Sequence, residues 1–348
     1  MSKKNIIPVF VPHYGCPNDC VFCNQNKITG LTTDVTAQTV ENTILEYLSY
    51  FKNKDNIEIA FYGGSFTAIE TKIQEELLFV AKKYKDAKIV QAIRLSTRPD
   101  CINNEILDIL KKYSVDTIEL GVQSLNEEVL IKSNRGHDTT CVYKSAELIK
   151  NHGFNLGLQM MIGLPGDSIE KDLYTAKEFI KLNPDCVRIY PTLVIKDTAL
   201  EYCYNNNLYD SLSIDEAVYI TKEVLKLYLK NYINVIRVGL QPTDEIQYDA
   251  SVVSGPFHPA FRQLVESEIL YDVIVEYFKD KKIFTDLKIF ANGKNISNIA
   301  GQKSFNKGKI INKLKIKDLS LKNKNYDEFT LELIYNGIKD VINIKDYI

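Results

Sequence analysis

Arginine is scarce in this chain: six (Arg94, Arg98, Arg135, Arg188, Arg237 and Arg262) stand among 43 basic residues. In so lysine-biased a sequence, arginine is expected where a rigid, planar fork of donors matters. Four of the six fall near expected strand ends. Long apolar runs are missing too. The longest near the N-terminus, residues 6–12, is far too short to span a bilayer, and no small-residue cleavage site accompanies it. These absences predict a cytoplasmic protein with no membrane partner. Cysteine is sparse and odd in number, seven in all, with three crowded into eight positions. That speaks against a disulfide framework and fits a metal site in a reducing compartment. There are only four histidines, and neither an internal repeat nor a low-complexity tract.

What remains is the composition of an ordinary soluble globular protein, 45% hydrophobic and 25% charged over 348 residues. That length suits one large domain and a small one. The net charge of -2 hides an asymmetry: residues 279–324 hold thirteen lysines against three acidic residues, so the rest is acidic. A basic segment on an acidic body suggests a polyanionic partner such as RNA. The bland alternative is a solvated lysine face, since Lys, Asn and Ile dominate throughout.

Short β-branched runs at 6–13, 57–63, 93–97, 117–122, 155–164, 186–194 and 235–240 alternate with helical periodicity at 36–51, 70–84, 103–113, 139–152, 168–182 and 214–229. Repeated strand–helix–strand order predicts an α/β fold, a partial or full (β/α) barrel of parallel strands, with right-handed crossovers. The pattern breaks after Leu240, and 241–262 reads as an irregular connection. The expected division is a barrel domain over 1–262 and a small C-terminal α+β module over 263–348. In that module a helix is expected near 266–278 and strands near 287–290, 314–317 and 329–335.

Cys16, Cys20 and Cys23 follow the first strand with C-x3-C-x2-C spacing. Three thiolates on one compact loop can cap three irons of a [4Fe–4S] cubane and leave the fourth open to an exogenous ligand. Zinc held by the same cysteines and a distant Cys or His is the competing reading. None of Cys101, Cys141, Cys186 or Cys203 forms a second ligand pair, however. Cysteines at the end of strand one also sit where barrels place their chemistry.

Other strand ends carry motifs. Gly63-Gly64-Ser65 lets backbone approach a ligand closely. In Ser96-Thr97-Arg98-Pro99-Asp100, the hydroxyls and Arg98 can address ribose or carboxylate oxygens. Gln123 offers donor and acceptor together, and Arg135 in Asn134-Arg135-Gly136-His137 offers a bidentate clamp. Gly163-Leu164-Pro165-Gly166 ends the fifth strand, and Arg188 and Tyr190 end the sixth. Individually these read equally well as turns, caps and surface cations. A lone His is more often structural, so His137 is not read as catalytic.

In order along the chain, these motifs resemble those of the radical S-adenosylmethionine (radical SAM) superfamily. The resemblance implies that S-adenosylmethionine chelates the open iron. One electron, supplied through the cluster by a reducing donor, then cleaves it to a 5′-deoxyadenosyl radical. It implies that Phe22 packs near the adenine, that Gly63, Gly64 and Ser65 meet the methionyl amino group, and that Gly163, Leu164 and Pro165 lie along the adenine. Ser65 stands where the family often has an acid, so a backbone contact is expected there. Ser96, Arg98, Gln123 and Arg135 complete the expected cofactor contacts.

Segments 62–68, 96–100, 119–124, 134–137, 160–166 and 188–195 are similar to the core of the catalytic subunit of Elongator, a family that modifies wobble uridines of tRNA. The similarity spans about 6–240 and implies tRNA or another RNA as substrate. Elongator-type enzymes have a wider gap between their first two cysteines. They also carry an acetyltransferase domain, and nothing after Leu240 shows its glycine-rich pattern. Similar GVQS, NRGH and GLPG stretches occur in oxygen-independent coproporphyrinogen oxidase, so a small-molecule substrate such as a porphyrinogen is the alternative. A metal-stabilised, non-catalytic RNA-binding protein is the third reading. Residues 296–304 resemble the glycine loop of KH RNA-binding domains, with Ser304 in place of the second glycine; an ordinary helix–turn–helix is the other reading.

Overall fold

Seven short β-branched runs, each followed by a chain reversal, pair side by side in a parallel sheet. In the computed structural model, which describes residues 4–11, 19–24, 35–240, 246–248, 250–283 and 286–348, the chain divides into two compact units. One comprises Met1–Leu212 and Ile233–Phe257, the other Ser213–Tyr232 and His258–Ile348.

The first unit is built on β1 (Asn5–Val11), β2 (Ile57–Gly63), β3 (Ala92–Thr97), β4 (Thr117–Gln123), β5 (Asn155–Ile162), β6 (Cys186–Pro191) and β8 (Val235–Val238). They line up in the order β1-β2-β3-β4-β5-β6-β8, every pair parallel. Between the described strands β1 and β8 there is no pairing, so the sheet is a partial (β/α) barrel. A short antiparallel pair, β7 (Val194–Ile195) with β9 (Val252–Ser254), lies outside it. The strand expected over 186–194 thus breaks into two, and the irregular 241–262 segment contains β9.

The helices are α1 (Ala37–Tyr50), α2 (Thr71–Asp86), α3 (Asn104–Lys112), α4 (Glu127–Lys132), α5 (Thr139–Asn151), α6 (Ile169–Leu182) and α7 (Ala199–Asn205). Most begin where the sequence supplies an oxygen for the first free amides. Asn103, Asn126, Asp138, Ser168 and Thr198 each accept from a first-turn N–H, and Thr36 closes a reciprocal box with Thr39. Ile59, Phe61, Ile93, Leu95, Ile118, Leu120, Leu158 and Ile189 form a fully buried apolar layer of the sheet. The alternate positions carry charge, and there the site is built.

In the second unit, α8 (Ile214–Lys230) packs against α9 (Phe261–Tyr277), with Lys222 and Lys226 both paired to Asp272 at 2.7 and 2.6 Å. Then follow β10 (Leu287–Ala291), α10 (Gly293–Ala300), α11 (Phe305–Leu314), β11 (Leu319–Asn323), β12 (Thr330–Tyr335) and β13 (Ile338–Asn343). The sheet order is β11-β10-β12-β13, with β10 and β11 parallel and the other pairs antiparallel. This division is not the linear one drawn at residue 262, because α8 leaves the barrel segment and β8 returns to it. The strand expected at 314–317 is not one. Its Leu-Lys-Ile-Lys alternation mimics a strand, but Leu314 closes α11. Lys315 turns the chain at a φ of 54°, and Ile316 folds back to donate its N–H to Ile311. The strand comes later, at β11. No helix among the described residues is long and apolar enough to cross a membrane.

Candidate active site

Residues 12–18, including Cys16, lie outside the described residues, so the structure places Cys20 and Cys23 only. Cys20 is buried and Cys23 half-buried. The Cys23 N–H donates to the Cys20 carbonyl at 2.9 Å, turning the chain back on itself around Val21 and Phe22. The segment after α4 holds this turn. Val21 N–H donates to Ser133 O at 3.2 Å, and the Asn134 amide donates to Asp19 O at 2.8 Å. Sequence-distant motifs, C-x2-C and Asn-Arg-Gly-His, are thereby stitched together.

Two arginines converge on the buried thiol. Arg135 Nη1 donates to Cys20 Sγ at 3.0 Å, and Arg98 Nη1 lies 3.8 Å from the same sulfur. Each is locked from behind: Arg135 donates to Gly121 O, and Arg98 donates to Arg135 O and forks onto Asp100 at 2.9 and 3.0 Å. The sulfur thus faces two guanidinium groups that are themselves held in place. Phe22 packs against Val194, Leu200 and Tyr209, with the Arg135 guanidinium 5.9 Å from its ring centre.

Gly63 has a φ of 112°, and a Cβ there would stand 2.2 Å from Val11 O, so only glycine fits where β2 ends beside β1. Gly64 N–H reaches Val11 O at 3.4 Å. The Ser65 hydroxyl is turned inward, 2.8 Å from Thr97 Oγ1, and accepts from Arg98 N–H at 3.2 Å. It positions the third strand end and is not free to meet a ligand. Between Gly121 and Gln123 strand β4 bulges, with Gln123 at a φ of 73°. The Gln123 Oε1 is buried without a hydrogen-bond partner. His137 is buried nearby; burial, then Arg135 and Arg98, push its imidazole down to about 4, so it is neutral at pH 7. Gly163, Leu164 and Pro165 line a cavity of about 460 Å³ with Lys132 and Tyr209. The Ser96 hydroxyl accepts from Gln159 at 3.3 Å.

That bond leads to a constellation the motifs did not reveal. Arg94 bridges Glu119 at 2.9 Å and Glu58 at 3.1 Å, and Arg188 forks onto Glu119, with Nη2 at 3.0 Å. The Arg188 guanidinium also lies 5.2 Å from the Tyr62 ring centre and donates to the Tyr62 hydroxyl at 3.0 Å. Two cations and two carboxylates thus balance inside the sheet. Burial works against the Glu119 charge, but Arg188 and Arg94 hold its carboxyl below the usual carboxylate range. Gly157 makes room: a Cβ there would stand 2.6 Å from Glu119 Cγ. The available signal was charge at alternate positions within otherwise apolar strand runs. Arg188, near the end of the sixth strand, is buried and committed to Glu119.

A cysteine-bound cluster and an amino-acid-bearing cofactor suit these residues. The donor set at Cys20 is soft and held by cations, and the Gln123 acceptor lacks a donor. Among the described residues no three His, Cys, Asp or Glu side chains gather into a metal site.

Comparison with known proteins gives the same class. The model of the radical SAM superfamily matches residues 10–179, and that of the radical SAM C-terminal domain matches 184–270. Human Elongator complex protein 3 is 30% identical over 194 residues, covering 50% of this chain and 35% of its own length. The tRNA uridine(34) acetyltransferase of Methanocaldococcus infernus is 29% identical over 187 residues, covering 47% of this chain and 34% of its own. The chain thus spans about a third of the length of these curated relatives. The solved structure of N-terminally truncated archaeal Elp3 from Methanocaldococcus infernus shares the fold, with a TM-score of 0.61 at 23% identity, over 80% of this chain and 64% of that one. The chain belongs to the radical SAM superfamily.

Proposed function

We propose that Cys16, Cys20 and Cys23 hold a [4Fe–4S] cluster, that S-adenosylmethionine binds beside it, and that the substrate is tRNA or another RNA. When bound, these groups supply a 5′-deoxyadenosyl radical once an external donor provides an electron. The residues of the chain do the rest. Arg135 and Arg98 hold fixed donors against the Cys20 sulfur. Gln123 Oε1 accepts a hydrogen bond from the cofactor, the Gly63–Gly64 backbone lies open to its methionyl end, and Phe22 offers a ring to its adenine. Glu119, Arg94 and Arg188 hold fixed, compensated charge on the inner face of the sheet. Enclosure of such a site excludes water from a reactive radical.

The observation that carries this reading is the convergence of Arg135 and Arg98 on Cys20; the unmatched Gln123 acceptor adds to it. The RNA part rests on similarity to a protein named as a tRNA uridine acetyltransferase and on the lysine-rich segment. Two measurements test it. Anaerobic reconstitution should give about four iron and four sulfide per chain, lost in Cys23→Ala, with 5′-deoxyadenosine formed on adding dithionite and S-adenosylmethionine. Nucleosides of tRNA from cells with and without the gene should differ at one modified base. Absence of 5′-deoxyadenosine under reducing, oxygen-free conditions defeats the catalytic part; identical nucleoside profiles defeat the RNA part.

A further inference from the structure

The second unit contains a cavity that the barrel chemistry does not use. It encloses about 500 Å³ between α8, α9 and the Gly301–Ser304 loop with the start of α11, a volume typical of small-ligand sites, about 300–1,000 Å³. Its walls combine three kinds of group. Tyr219 and Phe305 are 54% and 74% exposed, although large aromatic rings ordinarily bury their faces. Ser267 and Asn306 line the cavity and are 6% and 2% exposed, yet Ser267 Oγ and Asn306 Oδ1 have no hydrogen-bond partner. The Asn306 amide nitrogen is occupied, donating to Ser267 O at 3.0 Å and Asn298 O at 3.4 Å, so its oxygen is the open group. Cations complete the set. Lys222 and Lys309 line the cavity and are matched by Asp272 and Glu268. Outside the cavity walls, Lys303 in the loop and Lys313, Lys315 and Lys317 at the far end of α11 are exposed and enter no ion pair among the described residues. The carboxylate of Asp215 also lines the cavity.

The loop shape adds a backbone component. Gly301, Lys303 and Ser304 all have positive φ, at 70°, 49° and 61°. Ser304 offers no side-chain cap, leaving the first-turn amides of the ten-residue α11 without a side-chain acceptor. A Cβ on Gly301 would stand 2.6 Å from Asn306 Cβ, so the loop is packed down onto Asn306.

We propose that this cavity binds an unpaired stretch of RNA. A splayed base stacks on Phe305 and Tyr219, its donor edge meets Asn306 Oδ1 and Ser267 Oγ, and its backbone follows the loop and the unpaired lysines. Each component suits one part of a nucleotide: rings for the π-face, a buried acceptor for the edge, and amides with lysines for phosphate. A duplex, with its bases stacked inward, cannot supply the first two. The inference deepens the RNA reading above, taking from it only the choice of RNA, and does not depend on the radical chemistry.

The test uses the full chain and fluorescein-labelled short oligouridylate, the same sequence in DNA, and a blunt RNA duplex. The unmodified protein should bind the single strand more tightly than the duplex. Phe305→Ala with Tyr219→Ala should weaken single-strand binding by about tenfold or more, with an unchanged circular dichroism spectrum. Lys303→Gln with Lys315→Gln should flatten the salt dependence for single strand and duplex alike. Equal binding of single strand and duplex, full affinity in the ring variant, tighter binding of DNA than of RNA, or no oligonucleotide binding in low salt overturns the proposal. The double ring variant should still form 5′-deoxyadenosine. Loss of that product in the unmodified protein sinks the barrel reading and leaves this one standing.

Discussion

Arg135 and Cys20, 115 residues apart, meet at 3.0 Å through a guanidinium N–H pointed at a sulfur. The contact ties the cysteine loop to the end of the fourth strand, because the same guanidinium also holds Gly121 O. A hydrogen bond donated to a cluster-ligating sulfur raises the cluster's potential.

Arg135→Gln should therefore keep the fold but lower the reduction potential of the reconstituted cluster. Anaerobic redox titration of the reconstituted protein reads this directly. An unchanged cluster potential would remove Arg135 from the site.

Glu119→Gln should cost roughly 3–5 kcal/mol of stability, because it leaves Arg94 and Arg188 buried beside a neutral amide. Glu119 has its folded value depressed. Its contribution is therefore fully present above the ordinary glutamate value, about 4.3, and is lost as pH falls through the lower folded one. Urea melts at descending pH should show this acid loss in the parent chain and not in the variant.

Asp172 and Asp167 reverse that sign. Burial first, then the neighbouring Asp167 charge, hold the Asp172 carboxyl well above its usual range. The folded state retains a proton that the unfolded chain releases, so stability falls as pH rises from the ordinary aspartate value to the raised folded one. Asp172→Asn should raise the melting temperature at pH 7 by a few degrees and flatten that slope. A lower melting temperature would mean that the charged pair is stabilising.

Gly63→Ala should destabilise by at least about 1–3 kcal/mol, since it forces a side chain into the left-handed region against a backbone oxygen. Gly308, by contrast, has nothing within 4 Å of an added Cβ, so Gly308→Ala should leave stability equal or slightly higher. Comparable melting curves for the two variants would contradict the close β1–β2 contact.

Much of this was legible along the chain. All seven barrel strands and most helices stand within a few residues of their expected places, because β-branched runs and capped amphipathic stretches are local signals. Leu314 to Lys317 misled because period-two alternation also describes the frayed end of a helix and a folded-back isoleucine. Ser65 was readable as a strand-end residue, but not as one whose hydroxyl is occupied by Thr97 and Arg98.

The amino-acid order by itself determined the alternation of strand and helix, the cysteine spacing and the scarcity of arginine that marked Arg98 and Arg135. Only the tertiary structure decided which charges meet. Glu58, Arg94, Glu119 and Arg188 lie on four different strands and become one buried network through the parallel register of β2 to β6. It also decided that α8 packs with α9 in the second unit. Local propensity is carried by neighbours in the chain, whereas pairing across dozens of residues depends on burying one common core, which no short segment encodes.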